Sequence, residues 1–262
     1  MRHASWNMTG RADEPGGPHA KLRNEFDAWA EAGRGEAMEK GHLPTARQAL
    51  ERVPFDAARP ETFLDLGCGN GYIVRLAAER LHPAGTAIGL DVSPRMLAEA
   101  ERATERFITA LERTKGRAPS VRFVEGAFED LPLEPASVDH CYSNEAIYYS
   151  PDIDRALAEI LRILKPGGTF HCSLDFFEEN TYSHDWQDKV GLPMMMDNAD
   201  GWVTRFRAAG FVDVSSDRLL DPTEVPPIPD EADEEARTRH GMLAAWKREV
   251  GTLLVVGRKP TP

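Results

Sequence analysis

The chain has 262 residues, 41% of them hydrophobic, enough for one large α/β domain with appendages. Its 31 Lys and Arg against 43 Asp and Glu give a net charge of −12, so no global field attracts a phosphate backbone and nucleic acid is excluded as an expected partner. No apolar run approaches the ~18 residues of a membrane span, and the polar stretch 1–19 lacks a signal-peptide core, so the expectation is a cytoplasmic chain, off the membrane, that begins with a disordered tail.

Residues 20–58 read as an N-terminal helical cap. Leu22, Phe26, Trp29, Ala30, Ala37 and Met38 lie among helix formers, while Gly33 and Gly35 predict a break into two short pieces. GHLP then predicts another break, with Thr45 capping a helix through Arg52. From residue 59 onward, strand-like runs alternate with helical patterns, the signature of βαβ units around a parallel sheet. The runs are ETFLDL with a helix over Tyr72–Leu81, TAIGLDV with a long helix from Ser93, VRFVEG, VDHCYSN with a helix over Asp152–Leu164, and GGTFHCSLDF. A helix over Asp200–Ala209 and the strands FVDVSSDRL and GTLLVVG follow. Two stretches lack strand or strong helix character: 176–199, a candidate lid, and the acidic insertion 221–247. Cys68, Cys141 and Cys172 fall in or beside strands without the paired spacing of zinc or redox sites, so they read as small buried hydrophobes and no metal is expected.

The stretch LDLGCGNG places Gly67, Gly69 and Gly71 straight after the first strand. A strand feeding such a turn into a helix brings backbone N–H groups to one point, where a ligand can touch main chain. Glycine also enriches ordinary turns, so the triplet alone is weak. Asp91 closes the next strand, about 20 positions on, where a carboxylate can accept both hydrogens of a ribose diol. Together they indicate a nucleoside cofactor. The dinucleotide fingerprint needs glycine at position 72, which is Tyr72, and this argues against a nicotinamide dehydrogenase.

LDLGCGNG, GLDVSPRML, VEGAFEDLPLEPASVD and LRILKPGG, in this order, resemble the successive motifs of class I S-adenosylmethionine-dependent methyltransferases of the small-molecule type. The resemblance covers about Thr62 to Phe170. It implies a seven-stranded, mostly parallel sheet of order 3-2-1-4-5-7-6 with the last strand antiparallel and helices on both faces. It also implies Asp65, Gly67 and Gly69 at the methionine moiety, with Cys68 between the glycines, and Asp91 at the ribose hydroxyls. Val92 would flank adenine, Ala127 and Phe128 would sit at its edge, and Asn144 would lie beside the sulfonium. Where many relatives have Gly-Asp-Ala, this chain has Gly126-Ala127-Phe128. The adenine contact is then either lost or supplied by Glu129 or Asp130, unless both simply face water.

Methyl transfer needs an aligned acceptor in a dry pocket, and a base for its proton. NEAIYYSPD, from Asn144, stands at the reaction end. Glu145 and Ala146 replace the prolines of the motif with which amino-methyltransferases of nucleic acids and glutamine hold an amide, so base N-methylation is not expected. Tyr149 is the first candidate for acceptor contact, with one of Tyr148 and Tyr149 pointing in and the other out. His184 is a candidate general base in the lid, and His42 has similar standing; His171 and Cys172 read as structural. The expected function is methyl transfer to a small molecule. A catalytically silent S-adenosylmethionine-binding module is the alternative, and the oligomeric state is not legible.

Overall fold

The computed structural model describes residues 16–262. Most of the expected tail over 1–19 lies outside them, and Pro18 and His19 already open α1 (Pro18–Glu31). Ala32 and Gly33, the latter at φ 67, separate it from α2 (Arg34–Glu51). The expected division into two helices occurs, at Gly33 and not at Gly35, whereas the further break expected at GHLP does not occur, because burial outweighs local propensity. Gly35 packs so closely that a Cβ would stand 3.3 Å from the Asn70 side chain, and Ala46, Ala49 and Leu50 seat the second half of the helix in the core. Pro44 therefore sits inside α2, and Thr45, expected as a cap, is buried with its hydroxyl donating to the His42 carbonyl.

The sheet is built from β1 (Thr62–Leu66), β2 (Thr86–Asp91), β3 (Ser120–Glu125), β4 (Val138–Asn144), β5 (Leu164–Leu174), β6 (Val212–Leu219) and β7 (Thr252–Arg258). Its order is β3-β2-β1-β4-β5-β7-β6. The first five strands run parallel, joined through α3 (Tyr72–Ala78), α4 (Pro94–Lys115) and α5 (Ile153–Ile163), while β7 pairs antiparallel with both β5 and β6. This is the order that the resemblance implies. Successive strand residues face opposite sides, so Leu64 and Leu66 enter one core layer and Phe63 the other. β7 repeats the rule: Leu253 and Val255 join the first layer and Leu254 the second, as a strand buried on both faces requires.

Helix ends follow local chemistry. Ser93 accepts from Met96 N–H ahead of α4, and Asp152 accepts from Arg155 N–H ahead of α5. α3 ends at Ala78, three residues before the expected Leu81. The candidate lid carries the short α6 (Trp186–Val190) before α7 (Ala199–Ala208). The acidic insertion corrects the sequence reading further, since α8 (Glu234–Ala245) forms within it and continues into a π-turn over Trp246–Val250. Asp233 caps α8 by accepting from Ala236 N–H, and Glu234 and Glu235 complement its positive end. The run DEE, in an insertion expected to lack strong helix character, is a helix start.

Behind β5 and β7, Phe206 stacks on Phe170 at 5.1 Å and tilts against Phe211 at 5.3 Å, with no solvent exposure. Phe206→Ala should therefore cost about 3–5 kcal/mol, read as a lower urea midpoint at unchanged slope.

Candidate cofactor and acceptor site

The turn after β1 hangs from the end of β2. Gly67 and Cys68 N–H both donate to the Leu90 carbonyl, at 2.8 and 3.0 Å, and Gly69 N–H donates to Asp91 Oδ2 at 2.9 Å. At Gly67, φ is 73 and a Cβ would stand 2.4 Å from the Ala146 Cβ, so glycine alone lets the turn approach the end of β4. At Gly69, φ is 50 and nothing lies within 4 Å of a Cβ position, leaving its backbone open. Asp91 Oδ1 accepts from Ser93 N–H, and burial pushes the Asp91 carboxyl up to about 6.

A cavity of about 490 Å³ opens here, beyond the carboxyl ends of the strands. Of the expected residues, Gly67, Cys68, Gly69, Asp91, Val92, Ala127, Phe128, Asn144 and Tyr149 line it, and Asp65 and His184 do not. Asp65 is 1% exposed, and neither carboxylate oxygen has a hydrogen-bond partner among the described residues. Burial and then the Asp91 charge push its carboxyl well up. His184 is exposed, with Nε2 at 2.9 Å from the Glu178 carbonyl, because the turn over Thr181–Ser183 carries Tyr182 and Ser183 to the cavity wall instead. Tyr72 lines the cavity, and its hydroxyl accepts from Asn144 Nδ2 at 2.9 Å. Glu129, one of the two acids expected near adenine, neither faces water nor is free for a ligand: it is buried against Ser150, and His19 Nε2 lies 2.9 Å from it. Asp130 is exposed and off the wall.

The N-terminal helices form part of the roof. Asp27 accepts from Ser93 Oγ at 2.6 Å and Glu39 accepts from Asn70 Nδ2 at 2.9 Å, which ties α1 and α2 to the loops after β2 and β1. Leu22, Phe26 and Trp29 of α1 close one side, and Tyr182 and Trp186 of the candidate lid another. Leu243, Trp246 and Lys247 of the acidic insertion line the cavity as well, a contribution that its composition does not announce.

At the ends of β4 and β5 the wall becomes polar. Glu145 has φ 53, a left-handed conformation that is uncommon for a residue with a side chain. Its Oε2 accepts from Asp175 N–H at 2.8 Å and from the Tyr148 hydroxyl at 3.2 Å. Burial, then the Asp175 charge, push the Glu145 carboxyl up to about 8. His42 Nδ1 lies 3.4 Å from Asp175 Oδ2. Burial works to lower the His42 pKa, but Asp175 and Glu145 outweigh it and hold the imidazole above its ordinary value. Tyr148 and Tyr149 are both buried and both line the cavity, so the expectation of one in and one out is corrected; their rings tilt together at 4.8 Å, and the Tyr149 hydroxyl accepts from Trp186 Nε1 at 2.7 Å. Asp175 escaped the sequence reading, although its place just past β5 matches that of Asn144 and Glu145 at the end of β4.

Residues 64–172 match a family model described as a methyltransferase domain. Among solved structures, a chain from the complex between the Haloferax volcanii Trm112 methyltransferase activator and a methyltransferase is 37% identical, with a TM-score of 0.76 over 90% of this chain and 98% of that one. The malonyl-[acyl-carrier protein] O-methyltransferase of Methylovorus sp. is 29% identical over 71% of this chain and 58% of its own length. The ubiquinone/menaquinone biosynthesis C-methyltransferase UbiE of Brucella anthropi is 38% identical over 54% of this chain and 46% of its own. The chain thus spans less than two thirds of these curated relatives.

A carboxyl raised by folding binds its proton more tightly in the native state, so its ionisation removes stability as pH rises from the unfolded value to the folded one. For Glu145 that window runs from the ordinary 4.5 to about 8. Glu145→Gln should match the parent's melting temperature near pH 4.5 and exceed it by a growing margin toward pH 8, in paired thermal scans.

Proposed function

Because the chain belongs to the class I S-adenosylmethionine-dependent methyltransferase family, we propose that it transfers the cofactor's methyl group to a small molecule held in this cavity. The observation that carries the reading is one continuous cavity that runs from the Gly67–Gly69 turn and Asp91 to the Glu145–Asp175 wall. The donor set fits the cofactor. Asp91 offers carboxylate lone pairs to the ribose diol, Val92 and Phe128 offer apolar surface to adenine, and the open backbone at Gly69 admits the methionine moiety. Asp65, buried behind the turn with neither carboxyl oxygen partnered among the described residues, is an orphaned polar group that a bound ammonium would satisfy. When bound, S-adenosylmethionine supplies an electrophilic methyl on a sulfonium.

A small acceptor is supported by the partial roof that α1, α2 and the lid residues form and by relatives named for malonyl-[acyl-carrier protein] and quinone methylation. A dehydrogenase is disfavoured because Tyr72 points its hydroxyl at Asn144, where the dinucleotide fold needs a glycine. A silent binding module is disfavoured by the polar wall beyond the cofactor half.

The Haloferax relative's assembly with Trm112 supports a second proposal, that this chain also takes a protein partner. Among the described residues β3 is an edge strand that pairs with β2 alone and carries exposed and half-buried residues, which offers unpaired backbone for strand addition. Co-purification with a Trm112-type activator, lost on Val124→Pro, would be the expected result.

Calorimetry should show S-adenosylhomocysteine binding and no NAD binding. Asp91→Ala should weaken the former by roughly 10- to 150-fold, as the loss of hydrogen bonds to a charged group implies, and should also lower the melting temperature, because Gly69 and Ser93 N–H lose their acceptor.

A further inference from the structure

We propose that His42 and Asp175 form the base that takes the acceptor's proton and that Glu145 holds the acceptor's heteroatom, so that the acceptor is a hydroxyl or amine on an apolar body and not a carboxylate. This rests on the methyltransferase reading above.

Three observations converge. Asp175 is fixed in place: Oδ1 accepts from Thr252 Oγ1 at 2.6 Å and from Trp246 Nε1 at 3.2 Å, which leaves Oδ2 facing His42 Nδ1. An imidazole oriented by a carboxylate at one nitrogen presents the other as a base; Nδ1 of His42 is buried with Asp175 Oδ2 beside it at 3.4 Å, and His42 lines the cavity. Glu145 is held in a left-handed backbone at the end of β4, with one oxygen occupied by Asp175 N–H and Tyr148 and the other free. Strain of this kind persists where the surroundings over-determine it, often at an active site. One side-chain nitrogen or oxygen from each of His42, Glu145 and Asp175 lies within 4.8 Å of the others, so a single heteroatom can meet all three.

Charge on the wall sets the acceptor class. Arg239 is paired with Asp185, Lys247 with Asp221, and His19 with Glu129, so the basic groups of the wall other than His42 are already committed. A carboxylate acceptor would meet the Asp175 and Glu145 carboxyl groups, and among the described wall residues the one uncommitted basic group, His42, already faces Asp175. A protonated amine or a neutral hydroxyl would meet the Asp175 carboxylate, the Glu145 carboxyl group, a base, and the rings of Tyr148, Phe176 and Trp246. In the step itself, the acceptor's lone pair forms the bond to the methyl carbon and the carbon–sulfur pair leaves with sulfur. The acceptor's proton passes to His42 Nε2. An ammonium acceptor loses one proton to solvent on binding, before its lone pair is available.

The test uses the full chain saturated with S-adenosylhomocysteine and three probes: 4-ethylphenol, 2-phenylethylamine and 3-phenylpropionate. Quenching of the cavity tryptophans reads binding, and radiolabelled S-adenosylmethionine reads transfer. The phenol or the amine should bind at least 10-fold more tightly than the carboxylate at pH 7.5, and which of the two accepts methyl distinguishes O- from N-transfer. Glu145→Ala should weaken that probe about 10-fold and Glu145→Gln should restore it. His42→Gln should keep probe binding within about 3-fold while transfer falls at least 100-fold, with partial rescue by added imidazole. Equal or tighter carboxylate binding, no selective binding or transfer, parent-like transfer by His42→Gln, or transfer abolished by chelation and restored by a divalent cation would each overturn the proposal. Failure of the parent chain to bind S-adenosylhomocysteine would instead overturn the methyltransferase reading.

Discussion

Three backbone N–H groups of the turn after β1 are held by the last two residues of β2, and the site depends on that attachment. It presses Gly67 against Ala146, which brings the ends of β1, β2 and β4 to one floor. Parallel pairing then fixes the next neighbour. Asn144 stands opposite Ser173 in the β4–β5 register, so Glu145 and Asp175, one and two residues further on, meet beside the turn. A Cβ at Gly67 would separate the glycine floor from the acid wall, two halves that chemistry needs within reach of each other.

The chain's excess of acid has a structural use at this end of the sheet. Asp27, Glu39 and Glu129 each bind the N-terminal helices to strand-end loops or to a helix N-terminus, and each does so through a specific hydrogen bond or pair. Asp185 and Asp221 pair in turn with Arg239 and Lys247 around α8. The half-exposed Arg239–Asp185 pair contributes little by itself, whereas His19–Glu129 and Lys247–Asp221 are largely buried and fix the position of the roof. Apolar contacts stabilise it: Phe26 and Trp29 of α1 pack edge-on against Tyr149 and Trp186. Roof and floor share Tyr149, which touches α1 through its ring and the lid through its hydroxyl.

Local sequence carried the parts whose cause is local. Alternating apolar runs located every strand, glycine and Asp91 marked the floor, and the order of the sheet came with the family resemblance that those motifs support. Propensity misled where burial competes with it: Pro44 and Gly35 look like helix breaks, yet α2 runs through both because its far half is anchored in the core. In the acidic insertion the error was the reverse, as Asp233, Glu234 and Glu235 are a helix start where no strong helix was expected.

By itself, then, the sequence determined the sheet, the glycine turn and the carboxylate after β2, since each follows from residues within one strand and its turn. Only the tertiary structure decided which distant groups share the acceptor end. His42 and Asp175 are 133 positions apart and reach 3.4 Å because α2 lies over the end of β5. His184, which stood nearest the expected chemistry by its loop, faces solvent because the turn before it delivers Tyr182 and Ser183 inward. A side chain's direction in a loop depends on what packs beneath it, and no period in the chain encodes that.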